Sequence, residues 1–368
     1  GKWHLGEQRE YQPESRGFDE VFIHGAGGIG QNFPGGQGDA PGTSYFGPTI
    51  LHNGQFVKTE GFCTDVFVQQ ALGWMRDQNE NDQPFFAYIP TNAPHGPFLA
   101  PDKYKAMYAD KVGGGKRAKN LPAFLGMITN IDDNVGLIME KLEEWDMAED
   151  TIFIYSTDNG SALGSSVWNA GKKGGKGSLN EGGSRVPLFV RWPGVAEAGK
   201  DLDQLSRHID IFPTLAEVAG ADISDMGLEG RSLVPLIKGD DTEWADRHLF
   251  FHSGRWNKAG ADGRWGQGDT NPDNYRLKKY AVRSDQWRLV GPDQLYDINA
   301  DPAEENNLFA DHPEVVKELQ AAYDGFWERS RPLMVNEDAP LDIPKPFIEI
   351  FNKQKAAGGI PAWDAPKL

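Results

Sequence analysis

A lysine and a histidine stand two residues apart within Gly1–Gly6, as Lys2 and His4. At this spacing, both side chains lie on the same side of an extended segment. A lysine ammonium can hold an oxyanion, and an imidazole can exchange a proton with an attacking hydroxyl. The pair predicts an oxyanion site, and a solvated strand edge is the alternative that these two residues leave open.

His95 comes shortly after an apolar stretch, Phe85–Ile89, which predicts a buried strand because it is short and continuous. In open α/β sheets, ligands bind at the carboxyl ends of the strands. Pro94 and Pro97 flank the histidine and hold its imidazole on a stiff, non-helical turn. His95 is therefore a candidate general acid, and a surface-loop histidine is the alternative.

Asp158 and Asn159 follow the most apolar predicted strand, Ile152–Ser156. Carboxylate and amide oxygens are the hard ligands that Ca²⁺ or Mg²⁺ prefers, and adjacent residues of a tight turn can supply part of such a shell. The two residues are therefore candidate metal ligands. The alternative is a plain Asn-Gly turn that binds no metal.

Lys176 lies in the glycine-rich stretch Gly174–Gly183, just before the predicted strand Val186–Trp192. Glycines let backbone amides approach a bound anion closely, and the lysine adds a charge. Lys172 and Lys173 raise the positive charge nearby. The pattern predicts an anion-binding loop, and the alternative is a flexible basic loop on the surface.

Another glycine-rich stretch, His24–Gly30, is similar to a dinucleotide-binding fingerprint. That fingerprint requires a helix directly after the glycines. Here Pro34 and its neighbouring glycines stop a helix before it can begin. Dinucleotide binding is therefore not predicted.

Composition limits the class of protein. The 368 residues can bury a sizeable core, and no apolar run approaches the length of a membrane span. The net charge of −17 opposes binding to nucleic acid, so an anionic substrate needs a local cluster of cations. Cys63 is the single cysteine, which excludes an internal disulfide and a cysteine-based zinc site.

Apolar strands alternate with helical patterns over the first two thirds of the chain, which predicts an α/β domain with a mostly parallel sheet sandwiched by helices. The strands are the three stretches above and Val21–His24, and helical spacing is clearest over residues 124–142. We assign residues 1–239 to this domain and 240–330 to a smaller α+β domain that ends in a helix over Pro313–Arg329. Residues 331–368 are rich in proline and predict an extended tail on the surface.

Taken together and in this order, the motifs resemble the sulfatase family, whose arylsulfatase-like members belong to the alkaline-phosphatase-like superfamily. The residues that carry the resemblance are Gly1–Gly6, Ala93–Phe98, Asp158–Gly160, Gly175–Gly177 and Glu181–Gly183. Weaker similarity continues through His208–Leu215, Tyr280–Arg283, Leu295–Asp297 and Asp301–Glu304. The resemblance covers nearly the whole chain up to Arg329.

The resemblance implies an enzyme that hydrolyses sulfate esters of a sulfated carbohydrate or aryl alcohol. It implies that Lys2 and Lys176 bind the sulfate oxygens, that His4 supports the nucleophile and that His95 protonates the leaving alcohol. Asp158 and Asn159 would be ligands of a divalent cation, Ca²⁺ or alternatively Mg²⁺. The resemblance also implies a periplasmic or secreted location.

The family's nucleophile is a formylglycine made from the cysteine of a Cys-x-Pro-Ser-Arg motif near the N-terminus. Cys63 lies in Phe62-Cys63-Thr64, which does not match, and it is predicted to be an ordinary half-buried residue. We therefore expect that the N-terminal segment with the nucleophile is missing and that this fragment alone is inactive.

Two other functions remain open. Phosphodiesterases and phosphonate hydrolases of the same superfamily act on a chemically similar anion. A non-catalytic protein that binds sulfated glycans is the second alternative. Substrate choice is expected to come from loops such as Asp39–Tyr45 and His252–Trp256.

Overall fold

The computed structural model describes residues 1–32, 38–111, 118–240, 243–252, 272–334 and 345–368. Within them the α-helices are α1 Cys63–Glu80, α2 Asp102–Ala106, α3 Leu121–Glu144, α4 Glu181–Ser184, α5 Ile211–Ala219, α6 Val234–Lys238, α7 Pro313–Met334 and α8 Pro346–Ala357. The strands are β1 Phe22–Ile23, β2 Thr49–His52, β3 Gln55–Lys58, β4 Phe153–Ser156, β5 Leu188–Arg191, β6 Leu249–His252, β7 Tyr280–Arg283, β8 Trp287–Val290 and β9 Gln294–Asp297.

The chain divides into two compact units, which are described separately. The first comprises Gly1–Ala148 with Asp338–Leu368, and the second comprises Glu149–Glu337. These units are defined by how compactly each part of the chain folds, which does not test the domain limits expected at residues 239 and 330. Those limits stay a prediction. No helix in the described ranges is long and apolar enough to cross a membrane.

In the first unit, β1, β2 and β3 form an antiparallel sheet, and helices α1 and α3 pack against each other. Helix α3 confirms the helix expected over residues 124–142. Its apolar residues recur every three or four positions and so bury one face of the helix. The buried residues on this face include Leu121, Phe124, Met127, Ile138 and Leu142.

The end of the chain differs from the extended tail expected over residues 331–368. Residues 335–344 of that segment lie outside the described part, but Pro346–Ala357 forms α8. Proline is compatible with the first turn of a helix, and Phe347 and Phe351, four residues apart, share one face. Both rings are buried in the core of the first unit. The high proline content of the segment favoured the prediction of an extended tail over that of this amphipathic helix.

The predicted strands are confirmed at β1, β4 and β5, whereas Phe85–Ile89 is not one of the strands of the described part of the chain. All ladders between the described strands are antiparallel. Among the described residues, parallel pairing occurs only in two isolated bridges, one between Lys2 and His24 and one between Lys58 and Ala362. The expected mostly parallel order is therefore not seen in these ladders, because an apolar run does not encode the direction of its partner.

In the second unit, β6, β7, β8 and β9 form a four-stranded antiparallel sheet, here called the C-terminal sheet. One face packs on α7, which confirms the helix expected over Pro313–Arg329, and the residues in this contact include Tyr280, Val282, Leu289 and Leu295. The other face carries Ala281, Val290 and Tyr296, which cluster with Leu179 of the glycine-rich stretch. The sheet therefore separates α7 from the stretch that contains Lys176.

Candidate active site

The segment that carries Lys2 and His4 runs beside β1. The amide of Trp3 donates to the carbonyl of His24 over 2.9 Å, and the amide of His4 donates to that of Gly25 over 3.2 Å. The Trp3 side chain is buried, whereas Lys2 is half-buried and His4 is exposed. His4 has a φ of +54°, in the left-handed region, where few non-glycine residues occur. The extended backbone therefore ends at His4.

Hydrogen bonds on both sides hold the turn at His95. Its amide donates to the carbonyl of Asn92 over 3.0 Å, and its own carbonyl accepts from the hydroxyl of Tyr45 over 2.6 Å. The ring atom Nδ1 lies 2.8 Å from the carbonyl oxygen of Gly96. Because a carbonyl only accepts, Nδ1 carries a proton in this contact. Proton exchange with a ligand is therefore left to Nε2.

Two adjacent glycines bring these imidazoles together. A Cβ atom on Gly27 would lie 2.6 Å from Nε2 of His4, and one on Gly28 would lie 2.8 Å from Nδ1 of His95. Real Cβ atoms do not approach so closely, so each ring occupies space that only glycine leaves open. His4 and His95, 91 positions apart in the sequence, thus each border one of two adjacent glycines.

Asp39 organises the loop that contains these glycines. Its buried carboxylate accepts from the amides of Gly25 over 2.8 Å and Gly30 over 2.9 Å, and it lies 3.2 Å from Nδ1 of His24. These amides are those that a dinucleotide phosphate would need, and a carboxylate of the chain already binds them. Asp39 was not predicted as a supporting residue, and its buried position could not be read from a polar loop sequence.

Asp158 and Asn159 form the turn after β4, as predicted. The amide of Gly160 donates to the carbonyl of Gly183 over 3.0 Å. A Cβ atom on Gly160 would lie 1.9 Å from the carbonyl oxygen of Gly182, so a larger residue cannot occupy this position. Nε2 of His208 donates to the carbonyl of Thr157 over 2.7 Å. The turn is therefore fixed on both sides.

The side-chain oxygens of this turn are donors of the kind that a divalent cation prefers. The Asp158 side chain is exposed and Asn159 is half-buried, so both are on the accessible side of the protein. Among the described residues, no group of three or more His, Cys, Asp or Glu side chains could hold a metal ion. Two such oxygens would supply only part of the roughly six that Ca²⁺ takes.

The stretch Gly174–Gly183, here called the glycine loop, is compact rather than loose. The amide of Lys176 donates to the carbonyl of Ser161 over 3.0 Å, and the amide of Ser178 donates to that of Gly175 over 2.8 Å. The Lys176 side chain is exposed. The first of these bonds places Lys176 beside the turn that carries Asp158 and Asn159.

The two lysines before this loop differ from each other. Nζ of Lys173 donates to the hydroxyl of Tyr296 over 3.0 Å and to the carbonyl of Glu304 over 3.1 Å, so it has a structural partner in the C-terminal sheet and the segment after it. Burial, together with the nearby guanidinium of Arg185, lowers the pKa of Lys172. Lys173 therefore contributes less to anion binding than its sequence position indicates.

The predicted site residues thus form two sets. Lys2, His4 and His95 belong to the first unit, and the two histidines border adjacent glycines. Asp158, Asn159 and Lys176 belong to the second unit, and backbone hydrogen bonds link their two loops. The supporting residues that sequence reasoning missed are Asp39, Asn92, Tyr45 and His208.

Cys63 lies at the start of α1 with no exposed surface. Burial raises the pKa of its thiol well above the ordinary value. The thiolate is the reactive form of cysteine, so this residue is chemically inert. Cys63 is more deeply buried than the half-buried position expected for it.

Comparison with known proteins supports the resemblance. The Sulfatase family model matches residues 1–221, and the model for the C-terminal part of N-sulphoglucosamine sulphohydrolase matches residues 175–325. The uncharacterized sulfatase YdeN of Escherichia coli (strain K12) is 28% identical over 368 residues, with 92% of this chain and 62% of YdeN covered. The N-acetylgalactosamine-6-sulfatase of Homo sapiens is 31% identical over 264 residues, with 69% of this chain and 48% of that enzyme covered.

Among solved structures, Ps i-CgsB in complex with k-i-k-neocarrahexaose aligns with a TM-score of 0.72 at 24% identity, over 89% of this chain and 70% of that one. This similarity confirms the predicted α/β, alkaline-phosphatase-like fold. The chain spans less than two thirds of the length of either curated relative, 62% and 48%. Because the Sulfatase model covers more than half of the residues, the chain belongs to the sulfatase family.

Proposed function

We propose that this protein is a sulfuric ester hydrolase that cleaves the sulfate ester of a sulfated carbohydrate. The observation that carries the proposal is that His4 borders Gly27 and His95 borders the adjacent Gly28, since acid and base groups must meet at one reacting centre. The carbohydrate class is supported by relatives, one named an N-acetylgalactosamine-6-sulfatase and another solved with a neocarrahexaose.

The proposed roles follow from the charge and the hydrogen bonds of each side chain. Lys2 and Lys176 bind the sulfate oxygens, because an ammonium offsets the charge that these oxygens carry in the transition state. His4 holds the hydroxyl of the nucleophile. His95 protonates the leaving alcohol through Nε2, because its Nδ1 proton is engaged by the carbonyl of Gly96.

Two groups beyond these side chains belong to the proposal. A divalent cation, Ca²⁺ or alternatively Mg²⁺, would be held in part by Asp158 and Asn159, and when bound it would stabilise charge on a sulfate oxygen. The nucleophile would be a formylglycine, as in other sulfatases. Cys63 is buried and in the wrong sequence context, so it is not the precursor.

Two loops are proposed to set substrate choice. In the first, Asp39–Tyr45, the two end residues are buried, whereas Pro41 and Gly42 between them are exposed. In the second, His252–Trp256, only His252 lies within the described residues. The carbohydrate that is bound is therefore best identified by assay.

The test is the release of a chromogenic alcohol from its sulfate ester by the full-length protein, with and without a chelator. We expect turnover that depends on a divalent cation and falls by at least about 100-fold in His95→Ala and Lys176→Ala. The matched controls are His312→Ala, at a half-buried residue that pairs with Glu314, and Lys200→Ala, at an exposed residue that pairs with Glu197. Turnover that is unaffected by the chelator would overturn the metal assignment.

Two further outcomes separate the alternatives. Cleavage of a phosphonate or phosphodiester in preference to the sulfate ester would assign the protein to another activity of the superfamily. Binding of a sulfated glycan without turnover would identify a non-catalytic binding protein.

A further inference from the structure

We propose that Glu181 and Arg288 are positioning residues that hold the glycine loop, and with it Lys176, in the geometry for binding a sulfate group. This inference rests on the proposed function. It gives the C-terminal sheet a role in anion binding, although none of the predicted site residues lies in that sheet. Glu181, Arg283, Arg288 and Glu304 are here called the buried ion cluster.

The carboxylate of Glu181 is the centre of the buried ion cluster. Its Oε1 lies 2.6 Å from Nη1 of Arg288 and 3.1 Å from Nε of Arg283. Arg283 ends β7 and Arg288 is the second residue of β8, so both guanidinium groups come from the C-terminal sheet. Glu181, at the start of α4, is thereby attached to two strands more than 100 positions away in sequence.

Arg288 also binds the backbone of the glycine loop. Its Nε donates to the carbonyl of Leu179 over 2.8 Å, and its Nη2 donates to Oγ of Ser184 over 2.9 Å. One guanidinium therefore binds three points of the segment 179–184. This requires the planar fork of arginine, which a lysine ammonium cannot reproduce.

Glu304 holds the same segment from another direction. Its Oε2 accepts from the amide of Glu181 over 2.8 Å, and its Oε1 accepts from Nδ2 of Asn180 over 3.1 Å. Glu304 is fully buried and has a φ of +55°, a left-handed conformation that costs free energy in any residue with a Cβ atom. Its contacts with the glycine loop offset that cost.

The charge of the buried ion cluster agrees with this geometry. Burial by itself would raise the pKa of Glu181, but the guanidinium groups of Arg288 and Arg283 hold it below its ordinary value. Glu181 is therefore ionised at neutral pH. An ionised carboxylate and a guanidinium buried together keep each other in place, because separating them would leave a charge without compensation.

A chain of backbone contacts connects Glu181 to the site. The next residue, Gly182, donates its amide to the carbonyl of Lys173 over 2.8 Å, and Gly183 accepts from the amide of Gly160. Lys176 lies between these anchored ends and donates to Ser161. Glycines leave a free loop many conformations, so the anchors at its ends decide where the lysine sits.

The test measures the binding of inorganic sulfate to the full-length protein by calorimetry, together with KM and kcat for a chromogenic sulfate ester. In Arg288→Lys we expect sulfate affinity to fall about 10-fold or more and KM to rise in parallel, because a misplaced charge binds the anion less well. Arg331→Lys is the control, since Arg331 pairs with Asp273 on the surface of the same unit.

Chemical rescue by guanidinium distinguishes a positioning role of Arg288 from a general loss of stability. In Arg288→Ala, added guanidinium should fill the space of the lost side chain and restore sulfate affinity at least in part, which a merely destabilised protein would not show. If Arg288→Ala does not fold, Glu181→Gln keeps the shape of the side chain but removes the charge that pairs with Arg288, and it should increase hydrogen exchange at the amides of Lys176 and Gly183.

The results distinguish this inference from the proposed function. If the wild-type protein neither binds sulfate nor cleaves its esters, the proposed function fails, and hydrogen exchange in Arg288→Lys still tests whether the buried ion cluster holds the loop. If the wild type is active but folded Arg288→Lys binds sulfate unchanged, or Arg331→Lys causes the same loss, the positioning role is wrong.

Discussion

Gly27 leaves the space that the imidazole of His4 occupies, since a Cβ atom there would lie 2.6 Å from Nε2 of that ring. His4 is exposed, so its ring can move aside when the space is filled. The contact therefore contributes little to the stability of the fold, but it determines where the imidazole of His4 lies.

Gly27→Ala is accordingly expected to change the free energy of unfolding by less than about 1 kcal/mol while lowering sulfate ester turnover about 10-fold or more. Chemical denaturation and the turnover assay measure the two effects. Gly136→Ala is the control, since this glycine of α3 has nothing within 4 Å of an added Cβ. Equal turnover in Gly27→Ala and wild type would show that His4 has no role that depends on its position.

Tyr45→Phe removes the hydroxyl that donates to the carbonyl of His95 over 2.6 Å. Tyr45 is fully buried, so the carbonyl loses a partner that water cannot readily replace. We expect a loss of about 1–2 kcal/mol in the free energy of unfolding and a fall in kcat, because the turn that holds His95 relaxes. Tyr104→Phe, which removes the hydroxyl bonded to Asp133, should cost similar stability and leave kcat unchanged. A kcat that falls equally in both variants would argue against a specific effect on His95.

Phe347→Ala tests the helix found at the end of the chain. The ring is fully buried, and a Cβ atom on Gly25 would lie 2.3 Å from it, so it packs directly under the loop of Gly27 and Gly28. We expect a loss of about 3–5 kcal/mol in the free energy of unfolding, measured by denaturant titration. Phe189→Ala, at a ring that is 66% exposed, should cost far less. A small effect at Phe347 would mean that α8 does not support the first unit.

The raised pKa of Glu7 indicates that the stability of the protein depends on pH. Its buried carboxylate accepts from the amides of Gly38 and Phe347, and burial raises its pKa above the ordinary value. A carboxyl whose pKa is raised by folding binds its proton more tightly in the folded state, so its stabilising contribution is complete below the ordinary pKa and declines as pH rises through the raised pKa.

We therefore expect the difference in free energy of unfolding between wild type and Glu7→Gln to shift against wild type as pH rises from about 4 to 7. Denaturation of both proteins at each pH gives this difference directly. A difference that is constant, or that shifts in favour of wild type, would show that burial does not dominate at Glu7.

The sequence by itself determined the chemistry of the candidate residues and much of the local structure. The order of Lys2, His4, His95, Asp158 and Lys176 along the chain was enough to indicate the sulfatase family. Helices such as α3 followed from the spacing of apolar residues, because that spacing reports which face of a helix is buried. The turn after β4 followed from an apolar run that ends in Asp158-Asn159-Gly160.

Only the tertiary structure decided which residues support that chemistry. The glycines of His24–Gly30 have the spacing of a phosphate loop, yet they make room for two imidazoles and bind Asp39. Glu181 meets Arg288 across 107 positions, and Glu7 meets Phe347 across 340. Local spacing carries no information about such pairs, because they form only when the path of the backbone brings distant segments into contact.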